Sequence, residues 1–211
     1  MRSGYWYEAK QFAEADGQIS KDIILWHEFR SGRGNPTDLK EFLRRNKDWP
    51  GLPYLKEKGE QVFFESGRND VLSWFDKYPP KSETAAIIYA DALIEVGNKN
   101  KAELILQEKW ISHIMDVDLR TLYLKKHDAV LSDLHDERVI ELLWRDAFSA
   151  VDELMPLLSE DYKKLVKAVL ALRKYQKEGV NTLINRVPET LRDHPVLNFA
   201  RFKWRLQFGY D

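Results

Sequence analysis

The chain has 211 residues, with 33 Lys+Arg against 34 Asp+Glu, a net charge of −1 and a sequence pI near 6.5. That balance excludes a uniformly basic nucleic-acid binder and an acidic solvating tail. Apolar residues at 44% and aromatics at 12% supply a core and exclude a disordered chain.

There is no Cys, which removes disulfide frameworks, thiolate nucleophiles and Cys-based zinc sites. No run of about 18 apolar residues occurs, so no transmembrane helix is predicted. The first residues, MRSGYWYEAK, carry no apolar signal-peptide core. The expectation is a cytosolic chain, or one from which a targeting segment has been removed. His27, His113, His127, His135 and His194 form no HxxxH or HExxH pair. The phosphate-binding and nucleophile-elbow glycine patterns are also absent. Motifs therefore assign no catalytic, cofactor-binding or metal-ligating residue, and no cofactor is expected.

The apolar pattern has a period near 3.6 almost throughout. Ile140, Leu143, Trp144 and Ala147 share one helix face, as do Val151, Leu154, Met155 and Leu158, and again Tyr162, Leu165, Val166 and Val169. Breakers recur at Gly17, Ser31 to Pro36, Trp49 to Pro53, Ser66-Gly67, Pro79-Pro80, Gly97-Asn98, Gly179 and His194-Pro195. Between them the spacing predicts helices over 5–15, 19–31, 37–47, 52–65, 68–78, 82–96, 99–113, 116–127, 132–146, 147–157, 160–177, 180–192 and 195–208. Thr37 and Ser159 stand where N-caps are expected. Short links imply antiparallel hairpins. The expected fold is all-α: an α-superhelix or solenoid of about 12–13 short helices, forming one domain over 1–211. Ala85, Ala86, Ala90 and Ala92 supply small residues for close helix approach, although the period is irregular and no tetratricopeptide consensus repeats; a compact helical bundle is the alternative arrangement.

Residues 128–161 hold ten acidic and two basic side chains, and residues 162–208 hold eleven basic and three acidic. Solvated or mutually packed helix faces are the simplest reading; a basic face for another domain or an anionic polymer is the sharper one. The last helix, PVLNFARFKWRLQFGYD, is apolar nearly all round, which predicts neighbours on more than one side. The natural chain is expected to continue past Asp211.

Several stretches resemble the N-terminal superhelical, U-type region of soluble lytic murein transglycosylases, in their alphaproteobacterial form. They are LLWRDAFSAVDELMPLL, the ALR helix ending, the VP-x-x-L turn and the HPxLxFxRFxWR helix. Upstream, the tryptophan helix of DIILWHEF, the RSG turn and the DWPGLP linker follow in order, then WF-x-x-x-PP and ADAL-x-x-x-G. The resemblance runs from about Trp6 to Gly209. It implies a periplasmic protein whose superhelix supports a separate C-terminal lysozyme-like domain. That domain cleaves the β-1,4 bond between N-acetylmuramic acid and N-acetylglucosamine without water and leaves a 1,6-anhydromuramoyl end. The implied partners are peptidoglycan glycan strands and the protein's own catalytic domain, with no nucleic acid and no transmembrane segment.

The family's GLMQ and AYN-type motifs are absent, and the pair Glu65-Ser66 lacks them downstream, so it is read as a solvated helix end. Catalytic residues are accordingly none in this chain. The acid pairs Asp136-Glu137, Asp152-Glu153 and Glu160-Asp161 are read as first-turn residues complementing helix dipoles. Trp49 is expected to anchor a turn. Trp74, Trp110, Trp144 and Trp204 are expected in the core. Tyr5, Trp6 and Tyr7 are candidates for sugar stacking, since three consecutive aromatics cannot all face one core; the rival reading is that they cover a neighbouring helix at the start of the array. Arg201, Lys203 and Arg205 are expected to meet acids from 128–161 or a continuation of the chain. Substrate-binding residues are left unknown. The alternative function is a tetratricopeptide-like scaffold for a protein or peptide partner.

Overall fold

The computed structural model describes residues 5–209. These residues form fourteen α-helices and three short 3-10 turns, with no strand among them, so the all-α expectation holds. The chain divides into two compact units, Met1–Leu106 and Gln107–Asp211.

In the first unit, α1 (Trp6–Asp16) and α2 (Gln18–Arg30) form a hairpin turned by Gly17 at φ 103, a conformation that a side chain would strain. Next come α3 (Pro36–Arg45), α4 (Leu52–Gly59), a 3-10 turn at Glu60–Phe63, α5 (Arg68–Phe75) and α6 (Glu83–Glu95). Helix α2 packs on α1, α3 and α4, and α5 packs on α6. Phe29, Leu39, Phe42, Leu55, Phe63, Trp74, Phe75 and Tyr89 are buried. Their rings meet in series: Phe29 to Phe42 at 5.8 Å, Phe63 stacked on Trp74 at 4.5 Å, Phe75 to Tyr89 at 5.5 Å. The four alanines of α6 are all buried.

Buried carboxylates tie these helices end to end. Asp22 of α2 accepts from Arg45 Nη2 at 2.7 Å and Asn46 Nδ2 at 3.0 Å, at the end of α3. Glu28 pairs with Lys10 of α1 at 2.8 Å. Glu60 accepts from the main-chain N–H groups of Lys81 and Ser82 at 2.5 and 3.0 Å and from the Ser82 hydroxyl at 2.9 Å. Ser82 in turn caps α6 by accepting from Ala85 N–H at 3.2 Å.

The division between units falls within α7 (Lys99–Ser112). The second unit continues with α8 (Val117–Leu131), kinked at His127, α9 (His135–Trp144) and α10 (Phe148–Leu154). It ends with α11 (Glu160–Arg173), α12 (Val180–Asn185), α13 (Glu189–Arg192) and α14 (Pro195–Phe208). Helix α14 packs on α11 and also returns to α9. Arg138, 1% exposed, donates to the carbonyls of Trp110 and, at 3.0 Å, His113, closing the end of α7. Its guanidinium lies 4.2 Å from the Trp110 ring centre, and burial pulls its pKa down to about 10.

Some boundaries differ from expectation for local reasons. The helix expected over 180–192 is two, because Pro188 lacks an N–H and disfavours helical geometry at Val187. The helix expected over 160–177 stops at Arg173, where Tyr175 takes φ 52. Residues 132–134 form a 3-10 turn ahead of α9. The cap of α3 is Asn35, which accepts from Asp38 N–H at 2.8 Å, and not Thr37; Pro36 fills the first helical position, where no N–H is needed. Ser159 caps α11 as expected.

Two outcomes follow. Glu60→Gln should lower unfolding free energy by about 1–3 kcal/mol, because three part-buried donors lose a charged acceptor, read by urea denaturation. Burial also holds His135 below the ordinary imidazole value, against the opposing pull of Asp128 and Asp136. The unfolded chain therefore binds more protons, so this contribution is complete above about pH 6.5 and is lost as pH falls through the folded-state value. The urea midpoint should decline over that window, and His135→Gln should flatten the decline.

Candidate functional site

Several of the motifs named above meet in two side-chain clusters, one in each unit. In the first, Trp26 of α2 donates its indole N–H to the Pro50 carbonyl of the DWPGLP linker at 3.2 Å. Arg30 lies 4.3 Å from the Trp26 ring and 5.2 Å from that of Tyr54 on α4. The RSG turn follows directly. Gly32 takes φ 73, and a Cβ there would collide with the side chain of Gln61. The tryptophan helix, the glycine turn and the linker thus form one joint between α2 and α4.

In the second unit, Arg173 at the end of α11 makes an ion pair with Asp146 of the WRDAF turn. The same guanidinium lies 5.4 Å from the ring of Phe199 on α14, and Trp144 at the end of α9 packs against that ring at 5.4 Å. Trp204 donates to the Gln176 carbonyl at 2.7 Å. The three motifs meet where α14 lies on α9 and α11. Each set does the work of a joint.

Other expected residues are placed as follows. Tyr5 and Tyr7 are exposed at 66% and 72%, and Trp6 is half-buried, so these three do not share one core. Glu65 is exposed, and the Ser66 hydroxyl bonds the Val62 carbonyl at 3.0 Å. Asp136 and Glu137 stand in the first turn of α9, and Glu160 and Asp161 in the first turn of α11. Asp152 and Glu153 do not follow that rule: α10 starts only at Phe148 and is seven residues long, so they sit near its end, where Glu153 pairs with Arg120.

Trp74 and Trp110 are buried, Trp204 and Trp49 are half-buried, and Trp49 packs edge-on to Phe42 at 5.6 Å. Trp144 is 42% exposed, against the core placement expected, because it ends its helix and α14 covers one side of it through Phe199. Phe202 and Leu206 of α14 are exposed, so the residues described here bury one face of that helix and not all of it. Lys203 lies 5.5 Å from the Phe199 ring, while the pair Asp146–Arg173 joins the acidic and basic segments.

Sequence reasoning missed one concavity. Lys40, Arg44 and Lys47 on and just beyond α3, Lys56 of α4 and Lys77 beyond α5 line a cleft of about 670 Å³ with Trp74 and Tyr78. The i, i+4, i+7 spacing of the first three was visible. Nothing in the spacing shows that Lys56 and Lys77 join them. Among the described residues no group of His, Cys, Asp and Glu has metal-site geometry, and no helix is long and apolar enough to cross a membrane.

Phe199→Ala should lower the stability of the second unit by about 2 kcal/mol, since it uncovers Trp144 and removes the ring beside Arg173. Chemical denaturation monitored by tryptophan fluorescence would read it. No protein-family model, curated protein or solved structure matches this chain.

Proposed function

We propose that this chain is a non-catalytic helical scaffold for peptidoglycan, of the kind found in the superhelical region of soluble lytic murein transglycosylases. The observation that carries the proposal is the role of the family-like residues. Trp26, Arg30 and Pro50 in one unit, and Asp146, Arg173 and Phe199 in the other, lock helix joints. A scaffold's recognisable residues would be of that kind, because its work is to hold a shape. On this reading the hairpins form a superhelix in the periplasm, and a C-terminal lysozyme-like domain carries the catalytic Glu. The scaffold restrains the glycan strand and orients it to that domain, which raises effective concentration at the cleaved bond.

A second reading, a tetratricopeptide-like scaffold for a peptide, is favoured by the apolar groove between α1 and α2. Ala9, Phe12, Ala13, Ile23 and Ile24 line it, and Phe12 is exposed.

Co-sedimentation with purified insoluble murein tests the first reading. The chain should pellet with murein and release no anhydromuropeptides. A chain that stays in the supernatant, or one that releases anhydromuropeptides by itself, would overturn it.

A further inference from the structure

We infer that the basic cleft of the first unit is a binding site for a small polyanion bearing two or more phosphate or carboxylate groups. The inference is independent of the glycan-scaffold reading and rests on three observations.

The first is the charge of the lining. Five of the residues that form the cleft are Lys or Arg, and none is acidic. Two of the five are matched from outside the cleft: Lys40 pairs with Asp70 at 2.7 Å, and Arg44 with Glu41 at 2.8 Å. For Lys47, Lys56 and Lys77 there is no ion pair with a carboxylate among the described residues. A concavity focuses the field of such groups, and an anion that enters relieves their mutual repulsion.

The second is how two of the ammonium groups are held. Lys56 Nζ lies 4.6 Å and Lys77 Nζ 5.3 Å from the centre of the same ring, that of Tyr78. The ring attracts both cations without neutralising them. It holds two positive donors of the cleft lining against one ring, and each can donate to an anionic oxygen.

The third is the shape and the rest of the surface. Leu43 and Leu52 add apolar wall. Trp74 adds a buried indole whose N–H meets no acceptor among the described residues. A volume of about 670 Å³ lies within the range of small-molecule sites. A ligand with an apolar or ring portion between its charged groups would use both kinds of surface.

Titration of the 15N-labelled chain with pyrophosphate and, separately, with citrate at constant ionic strength tests the site. At least one probe should shift resonances of the cleft saturably. Saturation by pyrophosphate alone assigns phosphate chemistry, and saturation by citrate assigns carboxylate chemistry. Lys56→Gln/Lys77→Gln should weaken binding by about tenfold or more, and Lys56→Arg/Lys77→Arg should restore much of it. The control Lys163→Gln/Lys164→Gln on α11 changes net charge equally and should leave affinity unchanged. Circular dichroism checks that each variant is folded; should the double variant unfold, Lys47→Gln gives the same reading from an exposed position. Absence of saturation with both probes, or equal loss in cleft and control variants, would overturn the inference.

Discussion

Short helices impose one constraint on which the rest of this structure depends. Each helix leaves four N–H groups and four carbonyls without intrahelical partners. In helices of four to fifteen residues those ends are a large share of the main chain, and many lie between hairpins. The protein meets the constraint with buried charges whose sign matches the helix end. Glu60 faces the start of α6, where the dipole is positive, and Arg138 faces the finish of α7, where it is negative. Charge-assisted bonds are stronger than neutral ones, so one side chain can secure two or three main-chain groups.

The same choice makes the joints directional. A buried charge without its partners is costly, whereas an apolar contact can slide with little penalty. Asp22 requires the finish of α3 at one place, because Arg45 and Asn46 both reach it. The aromatic chain Phe29, Phe42 and Trp49 then fills the space that the polar joint defines. The Arg30–Trp26–Tyr54 and Arg173–Phe199–Trp144 clusters repeat the logic at partly exposed sites: Arg30 bridges rings from α2 and α4, and Arg173 pairs with Asp146 while lying over the Phe199 ring that Trp144 also meets.

This explains what could be read from the sequence. The 3.6-residue period is set by burial of whole faces, so helices such as 99–113 and 195–208 appear at nearly their observed positions. Ends are set by single residues, and there the reading slipped. Pro36 moved a cap from Thr37 to Asn35, and Pro188 divided one expected helix into two. The buried charges were not legible, because periodicity counts apolar residues and treats Glu60, Asp22 and Arg138 as surface. Trp144 shows the converse error: it sits on the correct stripe, but at a helix end where the stripe runs out of cover.

The cleft shows why a net charge of −1 constrains a binding partner so weakly. Near-neutrality excludes a surface that is basic everywhere. It does not limit the field in one concavity, because screening confines each charge to about 8–10 Å at ordinary salt. Lys40 and Arg44 come from one face of α3 and Lys47 from the turn just beyond it, but Lys56 and Lys77 reach the same space from elsewhere in the chain. Their convergence is a consequence of the hairpin joints. The polar joints between helices are therefore also what can hold like charges together against their repulsion, and the local field becomes a property of the fold and not of the composition.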